Sequence, residues 1–513
     1  MRSLPVDGSI VRAGASQFQT WSPDYILRNP RFLFPGFWST PDGDQFIRGG
    51  SVTIRSVLIY TSWLKDPRWI EVPGASFSGM AALDGSRSAW LSPAIGVEIP
   101  ANTHVIGRVY YAFSGEALEV PSGALAANVA GNPKSFERAA GIFQDQDSAE
   151  GPAWHDRASG APENPLPRLA NGRGPFLAPI MMIGQGARNT VAYLGLGPSG
   201  TMYGSDDDLA PRNWSNRGAF GAIDRALDDN STVEPVSGRP TKRFAICNFG
   251  VPGAYFLNKR GNFESLVNVS PYNDGKWAAL DLVKAETGDW PFDKVIVEPL
   301  LNSIPRDFET GKRSLAQLLT ELKARWGRPI VYNEGNNGGA FNSDGRFVLL
   351  PAFRSPDGMV PRLRTLVSDK GVPSKNAWLR KQGLIEDSFT QWTGSASSNG
   401  GAEFGTPQPP SSYRAQLSSG VEQGARTLSL TAPPQAGMVL QYRSSLLDGR
   451  FARVIVLGVE NGIATIGSGA LPAAAGAPII EAFSKDGSHP SPRAHALLQV
   501  RDILAYKARV STR

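Results

Sequence analysis

The chain has 513 residues, too many for one ordinary core, and is expected to divide into about two to four domains. A hydrophobic share of 41% against a charged share of 19% argues against disorder, and 56 Gly with 40 Pro point to many turns and short strands. The 52 basic and 46 acidic residues leave a net charge of +6 but form no Lys/Arg block, so a nucleic-acid partner is not expected.

The segment Met1 to Asp7 carries one basic residue and no apolar stretch, so it does not read as a secretory signal. No run of about 18 apolar residues occurs, which argues against a membrane span. The expectation is a protein made soluble in the cytoplasm, or one that leaves the cell as part of a virion. Cys247 is the only cysteine, which rules out an intramolecular disulfide, and its apolar setting Phe244-Ala245-Ile246 reads as that of a small buried hydrophobe.

Residues 1–187 predict an all-β domain, a sandwich or jelly roll, because β-rich runs alternate with turn residues: Ser51 to Trp63, Ala89 to Ile99 and His104 to Phe113. Ala149 to Gly174 reads as a long loop and Pro175 to Ile183 as the last strand. From Asn189 the pattern becomes apolar strands separated by helical periods, the mark of an α/β domain with a parallel sheet. Its expected strands are Thr190 to Leu196, Arg243 to Cys247, Lys294 to Leu300 and Pro329 to Tyr332. Leu315, Leu318, Leu319, Leu322 and Trp326 predict a crossover helix over Ser314 to Trp326.

Ser395 to Ser412 is Gly/Ser/Pro-rich and reads as a linker. Ala425 to Thr431, Met438 to Tyr442, Ala452 to Val459, Ile463 to Ile466 and Pro478 to Phe483 then predict strands with no helix between them. The expected division is a β domain at 1–187, an α/β domain at 188–415, a small inserted β domain at 416–483, and a return to the α/β domain at 484–513. In that last part Ser491 can cap a helix with Pro492 at its first position, followed by Leu497, Leu498, Ile503 and Leu504.

The four histidines, His104, His155, His489 and His495, form no HExxH motif or cluster, and no paired cysteines exist, so no metal site and no cofactor are expected. Gly195 to Gly200 spells GxGxxG after a strand, but no acidic residue closes a second strand, which leaves a dinucleotide site without support. Asp206 to Asp208 reads as a solvated acidic loop, His155 as a solvated loop residue and His495 as a surface or packing residue. Asn333 to Gly339 reads as a flexible loop near the sheet edge.

Asp486 and His489 are three residues apart and precede Pro490, a spacing that lets a carboxylate reach an imidazole Nδ1 hydrogen and leave Nε2 as a base. Ser199 follows the strand Thr190 to Leu196 within Gly197-Pro198-Ser199-Gly200, where small neighbours leave a hydroxyl accessible. Asn248-Phe249-Gly250-Val251-Pro252-Gly253 and Pro299-Leu300-Leu301-Asn302 follow the next two strands, and their amides suit a developing oxyanion.

In that order the residues Ser, Gly, Asn and Asp-x-x-His resemble the four blocks of the SGNH (GDSL) hydrolase family, over about half of the chain. The NxGxxG and DxxHP blocks are intact. Pro198 stands at the aspartate of the first block, and Leu300 and Ser303 at the glycine and aspartate of the third. The resemblance implies a three-layer, flavodoxin-like parallel sheet with Ser199 as nucleophile, His489 as base and Asp486 orienting it. It also implies an oxyanion hole from the Ser199 amide, the Gly253 amide and the Asn302 side chain. The implied activity is hydrolysis of carboxylic esters, and the added β modules resemble those of carbohydrate esterases, pointing to O-acetyl groups on a glycan. The competing reading is a non-catalytic glycan-binding or structural phage-tail protein, partnered with other virion proteins; an acyltransferase is disfavoured.

Overall fold

In the computed structural model the described residues are 2–3, 12–23, 25–40, 43–46, 51–72, 81–83, 89–101, 103–114, 119–120, 139–143, 177, 179–186, 189–197, 223, 227, 242–251, 256, 263, 275–299, 308–334, 339–341, 347–349, 371–390, 412–447, 451–467, 469–482 and 500–511.

Five short apolar runs make the sheet on which the site rests: β1 (Thr190–Leu196), β2 (Arg243–Asn248), β3 (Lys294–Val297), β4 (Ile330–Glu334) and β5 (Asp387–Thr390). All four pairings are parallel, and the spatial order is β2-β1-β3-β4-β5. The order reverses at β1, and in open parallel sheets ligands bind beyond the carboxyl ends of the strands at such a reversal.

Alternation along each strand sends side chains to two faces. Leu194, Leu196, Val295, Val297, Ile330 and Tyr332 share one core with the helices α1 (Gly275–Thr287), α2 (Phe308–Trp326) and α3 (Gly371–Lys381). Val191, Tyr193, Phe244, Ile296, Val331 and Phe389 form a second core with Ile223, Leu227 and the helix α4 (Val500–Ser511). The sheet is therefore covered on both sides, as all-parallel sheets require. Expected strands β1 to β4 are present, with ends shifted by up to three residues, while β5, α1 and α3 add to the expected elements.

The described elements before Gly186 are strands. Arg12–Trp21, Ser51–Tyr60, His104–Ser114 and Ala139–Phe143 form one antiparallel sheet with the short Trp69–Glu71 and Ala81–Leu83. Arg28–Pro35, Ala89–Leu91 and Met181–Gln185 form another. Phe18 of the first meets Phe32 of the second edge-to-face at 5.9 Å. Gly107 is needed there, because a Cβ would lie 2.1 Å from the Phe18 ring. The strand expected over Ala89 to Ile99 ends at Leu91; Pro93 cannot donate to a ladder. Helix α1 packs on strands 28–35 and 89–91, so the apolar core runs continuously from these sheets into the parallel one.

Residues 414–481 form a separate antiparallel sheet with its own core around Leu417, Leu440, Tyr442, Val456 and Ile479. Asn461 and Gly462, both with positive φ, make the two-residue turn between Phe451–Glu460 and Ile463–Ile466. A bridge between Leu417 and Leu430 joins the first and last strands, curling the sheet toward a small barrel. Its first strand, Arg414–Gln416, begins two residues before the expected start.

Candidate functional site

The carboxyl edge of the parallel sheet is built from backbone pairs that continue past the ladder. Phe249 N donates to Gly195 O at 2.7 Å, Val251 N to Gly197 O at 2.8 Å, and Glu298 N to Leu196 O at 2.9 Å. The chain segments leaving β1, β2 and β3 thus start side by side. Gly195 suits this crowding: a Cβ there would sit 3.3 Å from Asn248 Oδ1.

Below this edge the strands are apolar; at it, polar side chains are buried. Asn248 is 5% exposed and accepts a hydrogen bond from Gly250 N at 2.9 Å, which folds the chain back immediately after β2. Glu298, directly after β3, and Asn333, on β4, are each 1% exposed, and Asn333 Nδ2 donates to Glu298 Oε2 at 3.5 Å. Asn333 Oδ1 accepts no hydrogen bond among the described residues. By strand parity Asn248, Glu298 and Asn333 point to the face covered by α4.

Helix α4 is fastened to that face along its length. Arg509 pairs with Asp387, at the start of β5, at 3.3 Å. Tyr506 exchanges a 3.0 Å hydroxyl contact with Tyr193 and packs on Phe389. Lys507, fully buried, donates to Leu227 O at 3.2 Å and lies 5.3 Å from the Phe244 ring centroid. Because its later turns lie at the starts of the strands, α4 runs against them and its Val500 end faces the carboxyl edge. Burial raises the pKa of both Tyr193 and Tyr506 well above the ordinary phenol value, keeping the pair neutral.

Ser199, Gly253, Asn302, Asp486 and His489 lie outside the described residues, as do His155, His495 and Asp206 to Asp208. In sequence Ser199 comes two residues after Gly197, Gly253 two after Val251, and Asn302 three after Pro299. Asp486 and His489 fall between Ala482 and Val500, on the chain that feeds α4. Cys247 is half-buried, less so than expected, because it packs at the margin of the first core, with Sγ 3.8 Å from Ile180 O. Asn333, read from sequence as the start of a flexible loop, is a buried strand residue. The burial of Glu298 was not expected; its one signal in the sequence is a carboxylate ending the apolar run Val295-Ile296-Val297.

No protein-family model matches the chain, and no curated protein matches it. Among the described residues no group of three or more His, Cys, Asp or Glu is placed to hold a metal ion, and no helix is long and apolar enough to cross a membrane.

Proposed function

We propose that the chain is an SGNH-type serine esterase that removes O-acetyl groups from a carbohydrate by an acyl-enzyme route. One observation supports this reading above the others. The loops that hold Ser199, Gly253 and Asn302 leave three adjacent parallel strands at one edge, and the segment that holds Asp486 and His489 feeds a helix whose first turn faces that same edge.

In this mechanism Ser199 Oγ attacks the ester carbonyl while His489 Nε2 takes its proton, and Asp486 holds the imidazole through Nδ1–H. The amides of Ser199 and Gly253 and the side chain of Asn302 hold the oxyanion of the tetrahedral intermediate. His489 then protonates the departing sugar oxygen, which leaves as a free hydroxyl, and water, activated by the same base, attacks the acyl-enzyme and releases acetate. No step needs a metal or an organic cofactor. The domain reading goes with it: an SGNH three-layer domain at 188–415 and 484–513, interrupted by the β module at 416–483 and preceded by a jelly-roll-like sandwich at 1–187.

Pro198 and Ser303, standing where the family's blocks carry aspartates, favour a second reading in which the domain binds a glycan or a virion partner without cleaving it. Acetate release from a panel of acetylated polysaccharides separates the two. The esterase reading predicts release by the wild type and a loss on the order of 10³-fold or more in Ser199→Ala, with glycan binding retained. Release by neither, with binding intact, makes the binding reading correct.

A further inference from the structure

Where α1 ends and β3 begins, at the amino edge of the parallel sheet, an open cleft of about 440 Å³ is lined by Asp281, Lys284, Ala285, Gly288, Trp290 and Arg325. That volume falls in the range of small-molecule sites. None of these residues takes part in the proposed esterase mechanism. Gly288, with a φ of 89°, turns the chain out of α1 and donates its N–H to Lys284 O at 2.8 Å, so that Trp290 comes back beside the last turn. The Trp290 ring is half-buried and braced, stacked on Phe292 at 5.9 Å and meeting Trp326 edge-on at 6.5 Å.

The charges here are unevenly committed. Residues 275–290 contain the carboxylates Asp281, Glu286 and Asp289. Arg325 Nη2 donates to both oxygens of Asp281, at 2.9 and 3.1 Å, Arg328 holds Asp289, and Arg31 holds Glu286. Lys284 has no such carboxylate among the described residues; its exposed ammonium lies 4.5 Å from the Trp290 ring centroid. Hydrogen-bond donors are in surplus as well. Arg325 Nε, Trp326 Nε1 and Arg328 Nε are buried, each without an acceptor among the described residues. A cleft with donors and a cation to spare suits a ligand that brings acceptors and negative charge. Its aromatic wall suits one that also has an apolar face, which a bare phosphate lacks.

We propose that this cleft binds a uronic acid residue of a glycan, with the sugar carboxylate on the Lys284 ammonium and the apolar face of the pyranose on Trp290. The ammonium sits at the end of a flexible stem and moves from the ring to the carboxylate, leaving the ring to the sugar. Arg325, pinned by Asp281 and 5.3 Å from the Trp277 ring centroid, is the fixed wall of the cleft. The inference goes beyond the esterase reading and needs neither Ser199 nor an acetyl group.

The test is a calorimetric titration of the full chain with trigalacturonate, with maltotriose as the uncharged control and inorganic phosphate as the control without a ring. The expected result is a Kd on the order of 0.1–1 mM for trigalacturonate and binding of either control at least about 10-fold weaker. Lys284→Ala should weaken trigalacturonate binding by about 10-fold, as the loss of one charged hydrogen bond does, and Lys284→Glu should abolish it. Trp290→Ala should weaken it by about 5- to 10-fold. Trp290 also packs on the core, so if that variant does not fold, the exposed Lys284 decides. Wild-type affinity in folded Lys284→Glu, equal affinity for maltotriose or for phosphate, or no binding of trigalacturonate up to about 10 mM would overturn the site. Ser199→Ala should bind as the wild type does. Absence of Ser199-dependent ester hydrolysis is therefore a separate result, which removes the esterase reading and leaves this site standing.

Discussion

The two faces of the parallel sheet are built on different terms. The face toward α1, α2 and α3 is a continuous apolar core, with Leu280, Leu318, Leu319 and Leu322 fully buried against Leu194, Val297 and Ile330, and it runs on into the N-terminal sheets. The face toward α4 is narrower and threaded with polar groups: the Tyr193–Tyr506 pair, buried Lys507, and at its carboxyl end Asn248, Glu298 and Asn333. An apolar face is held by area and tolerates substitution by volume, whereas a polar face depends on each group finding its partner. One face is thus held by apolar area, and the other holds α4, the helix that follows Asp486 and His489 in sequence, through specific polar partners.

The largest expected effect comes from removing the nucleophile. Ser199→Ala is expected to lower ester hydrolysis on the order of 10³-fold or more while leaving the unfolding midpoint within error, since only one hydroxyl is removed. The converse change is Leu318→Ala on α2. It should destabilise by about 2–5 kcal/mol in denaturant titrations, yet leave kcat of the folded protein near wild type.

A smaller effect distinguishes the polar face. Tyr506→Phe strands the Tyr193 hydroxyl and is expected to cost about 1–3 kcal/mol, and adding Tyr193→Phe should recover a large part of it. The same pair sets an alkaline limit. Their folded pKa values are raised by burial, so the stability they contribute is whole below the unfolded phenol value of about 10 and falls as pH rises above it. Tyr110 in the N-terminal sheet, pushed up to about 12 by burial against the opposing effect of Arg108, adds to this loss. Unfolding followed above about pH 10 should show a shallower decline in the Tyr193→Phe/Tyr506→Phe variant.

The smallest expected effect is at the opposite edge. The Asp289 carboxyl is held below its usual range by the Trp290 backbone N–H and then by Arg328, whose guanidinium touches both oxygens at 2.7 Å. Its stabilisation is present above the unfolded value and lost as pH falls. With the Asp289 side chain 71% exposed, solvent screens the pair. Arg328→Ala should raise the Asp289 titration midpoint by NMR without moving the unfolding midpoint measurably.

These contrasts also explain what could be read from the chain. The run Thr190 to Leu196 is a strand at its expected bounds because it is apolar, β-rich and flanked by turn residues, and Ile463 to Ile466 likewise. Helix α1 escaped notice because it is buried between two bodies. Lys276 is buried as fully as Leu280, so no single apolar stripe stands out. Strand β5 is four residues, with Phe389 deeply buried and Asp387 and Ser388 less so, too short to announce itself. At the site, order and spacing along the sequence pointed to the strand ends. The burial of Glu298 and Asn333 was not legible, since it arises from register between strands 35 residues apart.

Under the proposed mechanism Ser199 is an activated nucleophile, and covalent trapping reads that activation directly. The protein would be incubated with a serine-reactive fluorophosphonate and its peptides mapped by mass spectrometry. The account predicts one phosphonylated residue, Ser199, with labelling abolished in His489→Ala. Labelling at another serine, or none at Ser199 in the folded wild type, would contradict it.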